Sequence, residues 1–257
     1  MDVIERARIL NADFDRLTLE QSVDRIIDHV HRGERGWLCT VNVAILIMMR
    51  QDPFLQSFVD RAAFVVADGQ PLVWVAPMFG AALPARVAGV DLVYALSRRA
   101  ARERLSVGLI GAPRRIVDAV AERLAELYPE LRIAYVGDGY FSDDEAPARA
   151  EQIRAAGTDI LFVGMGVPRQ EQFIDRQWDT LGCKLAIGVG GSFDVLAGLR
   201  VRAPEIIQRS GMEWAFRLAQ EPRRLWKRYL LTNSWFLYLV GRQLVRVRGG
   251  GERPGSR

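Results

Sequence analysis

The sequence predicts an α/β fold in which helices cover both faces of a parallel sheet, followed by a helical appendage. Three observations carry this prediction. Short apolar runs alternate with helical segments of roughly 10–15 residues, a pattern typical of a buried parallel sheet. Most of these runs end in turns that contain glycine or aspartate. From about residue 211 onward no further strand pattern occurs, and the chain is mostly helix-forming.

The elements can be assigned in chain order. Thr18-Leu-Glu-Gln21 has the form of a capping box and begins a helix that extends to His31. A strand and the helix 44–50 follow, and an amphipathic helix ending at Tyr128 lies later in the chain. The predicted strands cover residues 36–41, 63–67, 106–110, 131–136, 159–163 and 184–187.

The composition is that of a globular protein with a sizeable core. The 257 residues are 49% hydrophobic and 26% charged, which excludes disorder, collagen, a coiled coil and a disulfide scaffold. Cys39 and Cys183 lie in apolar, strand-like runs and are predicted to be reduced core residues. We expect no signal peptide and no membrane span, and therefore a cytoplasmic protein.

Charge is distributed unevenly along the chain. Residues 199–257 contain 13 basic and 4 acidic side chains, whereas residues 1–198 contain 22 basic and 27 acidic ones. A basic C-terminal segment on an acidic body predicts contact with something anionic, for which nucleic acid, lipid headgroups and a diphosphate substrate all qualify. Trp226 and Tyr229 stand among the basic residues, which favours a helix that lies in a membrane interface.

Candidate functional residues follow the predicted strands. Ligands of open α/β sheets bind beyond the carboxyl ends of the strands, and the glycine-rich turns there can approach phosphate groups. Asp68 follows a buried strand and is either the N-cap of the next helix or a general base. Thr40 and Asn42 flank another strand end, and Arg86 and Gln170 lie in similar turns.

Several other kinds of site are disfavoured. The chain lacks a complete dinucleotide fingerprint, a P-loop and a nucleophile elbow. Asp13-Phe-Asp15 has the D-x-D form of a metal site but precedes a helix rather than following a core strand. His29 and His31 form no ligand set with the cysteines, so neither zinc nor another metal is predicted.

Nine motifs, in order, resemble those of the WecG/TagA/CpsF family of bacterial glycosyltransferases. The resemblance covers roughly residues 8–238. The motifs are Thr40-Val-Asn42, Ala67-Asp-Gly69, Arg86-Val-Ala-Gly89-Val-Asp91, Gly137-Asp-Gly-Tyr-Phe141, Gly164-Met-Gly-Val-Pro-Arg-Gln-Glu171, Gly188-Val-Gly-Gly-Ser-Phe-Asp194, Arg202-Ala-Pro204, Glu213-Trp-Ala-Phe-Arg217 and Glu221-Pro-Arg-Arg224.

The resemblance implies a Rossmann-like domain and an inverting, metal-independent enzyme. Such an enzyme transfers ManNAc, ManNAcA or glucose from a UDP-sugar onto a polyprenyl-diphosphate-linked acceptor sugar, for cell-surface polysaccharide or teichoic acid. The implied base is Asp68, with Thr40, Arg86 and Gln170 as further catalytic residues. The implied substrate-binding residues are Asn42, Gly164, Glu171, Gly190, Gly191, Asp194, Arg217, Arg224, Lys227 and Arg228, with either Lys227 or Arg228 contacting the diphosphate.

The resulting expectation is a peripheral enzyme on the inner face of the bacterial plasma membrane. It needs no cofactor, binds an anionic membrane surface rather than nucleic acid, and is compatible with a homo-oligomer. Residues 1–210 would form the catalytic domain, 211–248 a membrane-associating appendage and 249–257 a flexible terminus. The alternatives are a redox or nucleotide-sugar-binding protein of the ordinary Rossmann class and a nucleic-acid-binding protein.

Overall fold

The computed structural model describes residues 4–210 and 212–249. The strands of this part of the chain are β1 (Arg6–Ile9), β2 (Ala12–Asp15), β3 (Gly36–Val41), β4 (Phe64–Ala67), β5 (Ser106–Gly111), β6 (Arg132–Gly137), β7 (Ile160–Gly164) and β8 (Leu185–Gly188). The helices are α1 (Leu19–His31), α2 (Val43–Met49), α3 (Pro53–Asp60), α4 (Gln70–Val75), α5 (Gly89–Glu103), α6 (Arg114–Leu127), α7 (Ala146–Ala155), α8 (Arg169–Leu181), α9 (Ser192–Leu196), α10 (Glu205–Arg209), α11 (Glu213–Gln220) and α12 (Pro222–Gly249). A 3-10 helix, Ala76–Phe79, follows α4.

Strands β3 to β8 form one parallel sheet in the order β4-β3-β8-β7-β5-β6. This confirms the predicted fold class, and each of the six predicted strands is present within about two residues of its expected bounds. β8 begins at Leu185, so Cys183 precedes the strand rather than lying in it, although its side chain is buried. Cys39 lies within β3, and neither cysteine forms a disulfide.

Each face of the sheet has its own hydrophobic core. Along β3, Trp37, Cys39 and Val41 belong to one core and Leu38 to the other, because successive side chains of a strand point to opposite faces. Helices α2, α3, α7, α8 and α12 cover the first face, and α1, α5, α6 and α9 cover the second. The Thr18 capping box begins α1 as predicted.

A two-stranded hairpin, β1–β2, precedes the sheet and was not predicted. Asp15, at its end, pairs with Arg6 at 2.8 Å and accepts a 2.8 Å hydrogen bond from the Val65 amide on edge strand β4. Asp13 pairs with Arg8 at 2.7 Å. As predicted, the D-x-D sequence precedes a helix, α1, rather than following a core strand; it lies in β2, and both of its carboxylates are engaged by arginines.

Helix α12 packs along α2 and completes the first core. Phe236, Leu239 and Val240 on one side of α12 are buried. The other side exposes large apolar residues, including Leu230, Leu231, Trp235, Leu237 and Tyr238. No helix of the described chain has a continuous apolar stretch long enough to cross a bilayer. The proposed boundaries at 210 and 248 remain a prediction; Gly211 and residues 250–257 lie outside the described residues.

Candidate active site

A cavity of about 280 Å³ opens at the carboxyl ends of β3, β4 and β8. This is the edge at which parallel sheets place their ligands, because the turns that follow the strands converge there. Eight of the predicted site residues line the cavity: Thr40, Asn42, Asp68, Arg86, Gln170, Gly190, Gly191 and Arg217. Helices α11 and α12 supply part of its wall through Trp214 and Asn233.

Asp68 lies directly after β4 and faces this cavity. Its amide donates a 2.9 Å hydrogen bond to the Val41 carbonyl, which continues the pairing of β4 with β3. The N-cap of α4 is Gly69, and no side chain caps that helix, so the capping role for Asp68 is wrong. Burial raises the pKa of Asp68 to about 6, against the attraction of Arg217 and Arg86. A carboxylate with this pKa can accept a proton near neutral pH.

Glu213 links two arginines beside Asp68. Its carboxylate forms an ion pair with Arg86 and lies 3.3 Å from Arg217, one helical turn further along α11. Arg86 also donates a 3.2 Å hydrogen bond to Gln208 near the end of α10. The arginines that influence Asp68 are thus held by residues of α10 and α11.

Thr40 and Asn42 have structural hydrogen bonds in addition to their place in the cavity wall. The Thr40 hydroxyl donates to the Gly188 carbonyl at 3.0 Å, which ties the end of β3 to the end of β8. The Asn42 side chain accepts from the Ile45 amide at 3.1 Å and caps α2. These bonds fix two polar side chains on the cavity side of the sheet.

Both the oxygen and the nitrogen of the Gln170 side-chain amide form hydrogen bonds. Its oxygen accepts from the Gly190 amide at 3.0 Å, and its nitrogen donates to Glu171 at 2.8 Å. A side chain at Gly188 would bring its Cβ within 2.6 Å of that nitrogen, so glycine there permits the close approach. The result is a fixed Gln170 against the Gly188–Gly191 turn.

Glu171 lies behind Gln170 rather than in the cavity wall. Its side chain is buried and borders a separate void of about 10 Å³ between β3 and α8. Burial raises its pKa to about 7, although the hydrogen bond from Gln170 lowers it. In the structure Glu171 contacts Gln170 and is not among the described residues that line the cavity, so its contact with substrate stays a prediction.

Gly164 and Asp194 also stand back from the cavity. A Cβ at Gly164 would lie 2.6 Å from the Phe193 ring, so this glycine allows α9 to pack against the end of β7. Asp194 pairs with Arg200 at 3.0 Å, and it is Arg200 that lines the cavity. Both residues support the cavity wall without lining it: Gly164 permits the packing of α9, and Asp194 holds Arg200.

Of the predicted diphosphate contacts in α12, Lys227 is the one whose side chain is described. It is exposed, its ammonium group lies 5.5 Å from the Trp226 ring, and it is not among the described residues that line the cavity. The side chains of Arg224 and Arg228 lie outside the described part of the chain. The choice between Lys227 and Arg228 therefore stays open.

Sequence reasoning missed several residues of the wall: Arg200, Arg202, Glu213, Trp214 and Asn233. Three of them belong to motifs that were noted, Arg202-Ala-Pro204 and Glu213-Trp-Ala-Phe-Arg217. The two-residue spacing of Arg200 and Arg202 was an available signal, since such residues can share a side of an extended segment. No sequence pattern indicated Asn233, because only the packing of α12 brings it to the cavity.

Comparison with known proteins gives a matching family and similar relatives that include two Bacillus proteins. The model of the "Glycosyl transferase WecG/TagA/CpsF family" matches residues 7–250. A protein of Bacillus spizizenii named N-acetylglucosaminyldiphosphoundecaprenol N-acetyl-beta-D-mannosaminyltransferase is 33% identical over 202 residues, 79% of this chain and 77% of the relative. A protein of the same name from Bacillus subtilis strain 168 is 33% identical over 203 residues, 79% of this chain and 78% of the relative.

Proposed function

Because this chain belongs to the WecG/TagA/CpsF family of glycosyltransferases, we propose that it transfers a sugar from a UDP-sugar onto a polyprenyl-diphosphate-linked acceptor sugar. The observation that carries the proposal is Asp68, a carboxylate with a raised pKa in a cavity whose other charged groups are mainly arginines. The names of the relatives favour an N-acetylmannosamine donor and an N-acetylglucosamine-diphosphate-lipid acceptor.

In the proposed reaction Asp68 is the general base. Its carboxylate takes the proton of the acceptor hydroxyl while the acceptor oxygen forms a bond to C1 of the donor sugar. The bond from C1 to the diphosphate breaks, and its electron pair leaves with UDP. Attack and departure on opposite faces invert the configuration at C1. General base catalysis of this kind contributes about 10²- to 10⁴-fold to the rate.

Arginines would stabilise the charge that develops on the departing diphosphate. Arg86 and Arg217 are already fixed by Glu213, so they need little reorganisation when that charge appears. Gln170 accepts the hydrogen bond of the Gly190 amide and so holds the turn 188–191 beside these arginines in the cavity wall. This arrangement supports a reaction without a metal ion, as the resemblance implies.

The exposed side of α12 fits a site of membrane attachment. Trp235 and Tyr238 stack on each other there at 5.2 Å, and exposed leucines flank them. Aromatic and apolar residues on one side of a helix, close to basic ones, are typical of interfacial helices. We therefore place the enzyme peripherally on the inner face of the plasma membrane, where a polyprenyl-linked acceptor is embedded.

A donor screen tests the proposed function. The purified full chain is incubated with UDP-N-acetylmannosamine, UDP-N-acetylmannosaminuronate, UDP-glucose and UDP-N-acetylglucosamine, each with a short-chain prenyl-diphosphate N-acetylglucosamine acceptor. We expect acceptor-dependent UDP release with the first donor, and release slower by about 10²-fold or more from Asp68→Asn. If no UDP-sugar in the panel gives acceptor-dependent UDP release, the proposal is overturned.

A further inference from the structure

Arg200 and Arg202 reach the cavity from the irregular segment between α9 and α10. Val201, between them, is 72% exposed and does not line the cavity, whereas both arginines do. This alternation is that of an extended segment, in which residues two apart lie on the same side. The segment therefore directs two guanidinium groups toward one wall.

Both arginines are paired with carboxylates that do not themselves line the cavity. Arg200 lies 3.0 Å from Asp194 in α9 and 2.8 Å from Glu221 between α11 and α12. Arg202 donates to Asp91 in the first turn of α5 at 2.6 Å. These carboxylates hold the guanidinium groups in place, and each guanidinium has further N–H donors for a ligand.

The turn at Gly190 and Gly191 lies beside Arg200 in the cavity wall. A Cβ at Gly191 would lie 3.9 Å from Arg200 Nη1, in van der Waals contact with the guanidinium group. A Cβ at Gly89 would lie 3.1 Å from the Ser192 hydroxyl, which shows how closely the start of α5 meets the start of α9. Ser192 lines the same part of the cavity.

Among the described residues, the cavity wall carries two more arginines than carboxylates. Among the described residues, four arginines line it, namely Arg86, Arg200, Arg202 and Arg217, against the carboxylates of Asp68 and Glu213. Glu213 forms ion pairs with both Arg86 and Arg217. Arg200 and Arg202 form their close ion pairs with other carboxylates, so by these contacts the arginines divide into two pairs, although the charges of Glu213 and Asp68 also act on Arg202.

The proposed reaction brings two diphosphates into one site, one on the nucleotide and one on the lipid-linked acceptor. Resting on that proposed function, we infer that Arg200 and Arg202 form a second diphosphate-binding subsite, distinct from the pair Arg86 and Arg217. Planar guanidinium groups suit this task because they bind phosphate oxygens in a bidentate manner. Asp194, Asp91 and Glu221 are positioning residues for this subsite.

Separate binding measurements on the two ligands test the inference. Arg200→Gln and Arg202→Gln are compared with wild type and with Arg176→Gln, a control at an exposed arginine of α8 that pairs with Asp143 and does not line the cavity. UDP affinity is measured by calorimetry, acceptor binding with the short-chain prenyl-diphosphate sugar, and folding by the melting temperature. Loss of a charge-assisted contact should weaken the affinity for one ligand about tenfold or more and leave the affinity for the other within about threefold of wild type.

The outcome identifies the source of the diphosphate. Selective loss of UDP binding assigns the subsite to the donor, and selective loss of acceptor binding assigns it to the acceptor. Where a glutamine variant lowers the melting temperature, Arg200→Lys and Arg202→Lys keep the charge that Asp194 and Asp91 require while removing the planar fork, and the same selective loss is expected. Unchanged binding of both ligands, or equal loss of both, overturns the inference. A wild-type protein that binds neither ligand overturns the proposed function as well.

Discussion

Arg86 and Glu213 are 127 residues apart in the sequence and form an ion pair in the wall of the cavity. Their side chains are only 14% and 15% exposed. Arg86 precedes α5, whereas Glu213 begins α11, so the pair joins the sheet domain to the C-terminal helices. Because Glu213 also binds Arg217, the electrostatic environment of Asp68 depends on α11 as well as on β4.

Asp68→Asn should reduce turnover by about 10²-fold or more, because an amide cannot accept the proton of the acceptor hydroxyl. In wild type, kcat/KM should fall below about pH 6, since protonation of Asp68 removes the base. A pH profile of kcat/KM for both proteins measures the two effects. Near-normal turnover of Asp68→Asn, with UDP affinity unchanged, would contradict the assignment.

Arg217→Gln and Glu213→Gln should move the acid limb of that profile in opposite directions. The charge of Arg217 lowers the pKa of Asp68 and the charge of Glu213 raises it. Loss of Arg217 should therefore shift the limb to higher pH, and loss of Glu213 to lower pH. Arg223→Gln, at an exposed position in α12, is the control and should leave the limb in place. Shifts of the same sign in both variants would show that the ionisation of Asp68 does not determine the acid limb of the kcat/KM profile.

The sheet and the position of Asp68 at the end of a core strand could be predicted because local sequence determines them. Each core strand is a continuous apolar run, and Asp68 follows one of these runs directly. The hairpin was missed because β1 and β2 have four residues each and alternate charged with apolar side chains, so neither forms such a run. Its position depends on the bond between Asp15 and Val65, which are distant in sequence.

The rest of the site depends on tertiary packing. Glu171 follows Gln170 in the same motif, but consecutive helical residues point about 100° apart, so only Gln170 reaches the cavity. Arg200 and Arg202 lie in a segment without regular structure, whose path the sequence pattern does not determine. Asn233 reaches the cavity because α12 packs on α2, a contact between segments nearly 190 residues apart.

Glu171→Gln should change the pH dependence of stability. Burial raises the pKa of Glu171 to about 7 in the folded state, above its ordinary 4.5, so the folded protein binds the proton more tightly. The stability that this proton provides is complete below about pH 4.5 and is lost as pH rises through 7. Relative to the variant, wild type should lose roughly 1–3 kcal/mol between pH 5 and 8.

Urea unfolding of wild type and Glu171→Gln at several pH values measures this difference. Asp68 also titrates near pH 6 but is present in both proteins, so its effect cancels. The glutamine can still accept the hydrogen bond from Gln170, and UDP binding by the variant should therefore stay within about threefold of wild type. A stability difference that does not vary with pH would show that Glu171 ionises normally.

Transfer should proceed in the presence of EDTA and should not be stimulated by Mg²⁺ or Mn²⁺. Asp13 and Asp15 are engaged by Arg8 and Arg6 in the hairpin, and within residues 4–210 and 212–249 no three His, Cys, Asp or Glu side chains are grouped to hold a metal ion. Arginines in the cavity can stabilise the diphosphate instead. Initial rates after EDTA treatment, with and without added metal, check this. Loss of activity that Mn²⁺ or Mg²⁺ restores would contradict it.

Replacing exposed leucines of α12 should weaken membrane binding without affecting chemistry. Leu231 and Leu237 are 69% and 67% exposed, so the double variant Leu231→Ser/Leu237→Ser should fold normally. Each leucine buried in a bilayer interface contributes about 1.5–3 kcal/mol at most, and binding to anionic liposomes should fall at least tenfold. Neutralising Arg242, Arg246 and Arg248 should also weaken liposome binding, because each basic residue near an anionic lipid surface contributes about 1 kcal/mol to the binding free energy.

The control for this experiment is Leu127→Ser, at an exposed leucine of α6, which should leave liposome binding unchanged. Point substitutions are preferable to truncation after Ser210, since truncation also removes Phe236, Leu239 and Val240 from the core. Liposome sedimentation and transfer to a water-soluble acceptor are measured on the same preparations. If α12 attaches the enzyme to the membrane, sedimentation falls while soluble transfer persists, because the exposed leucines do not line the cavity. Undiminished sedimentation of the double leucine variant would show that another surface meets the lipid.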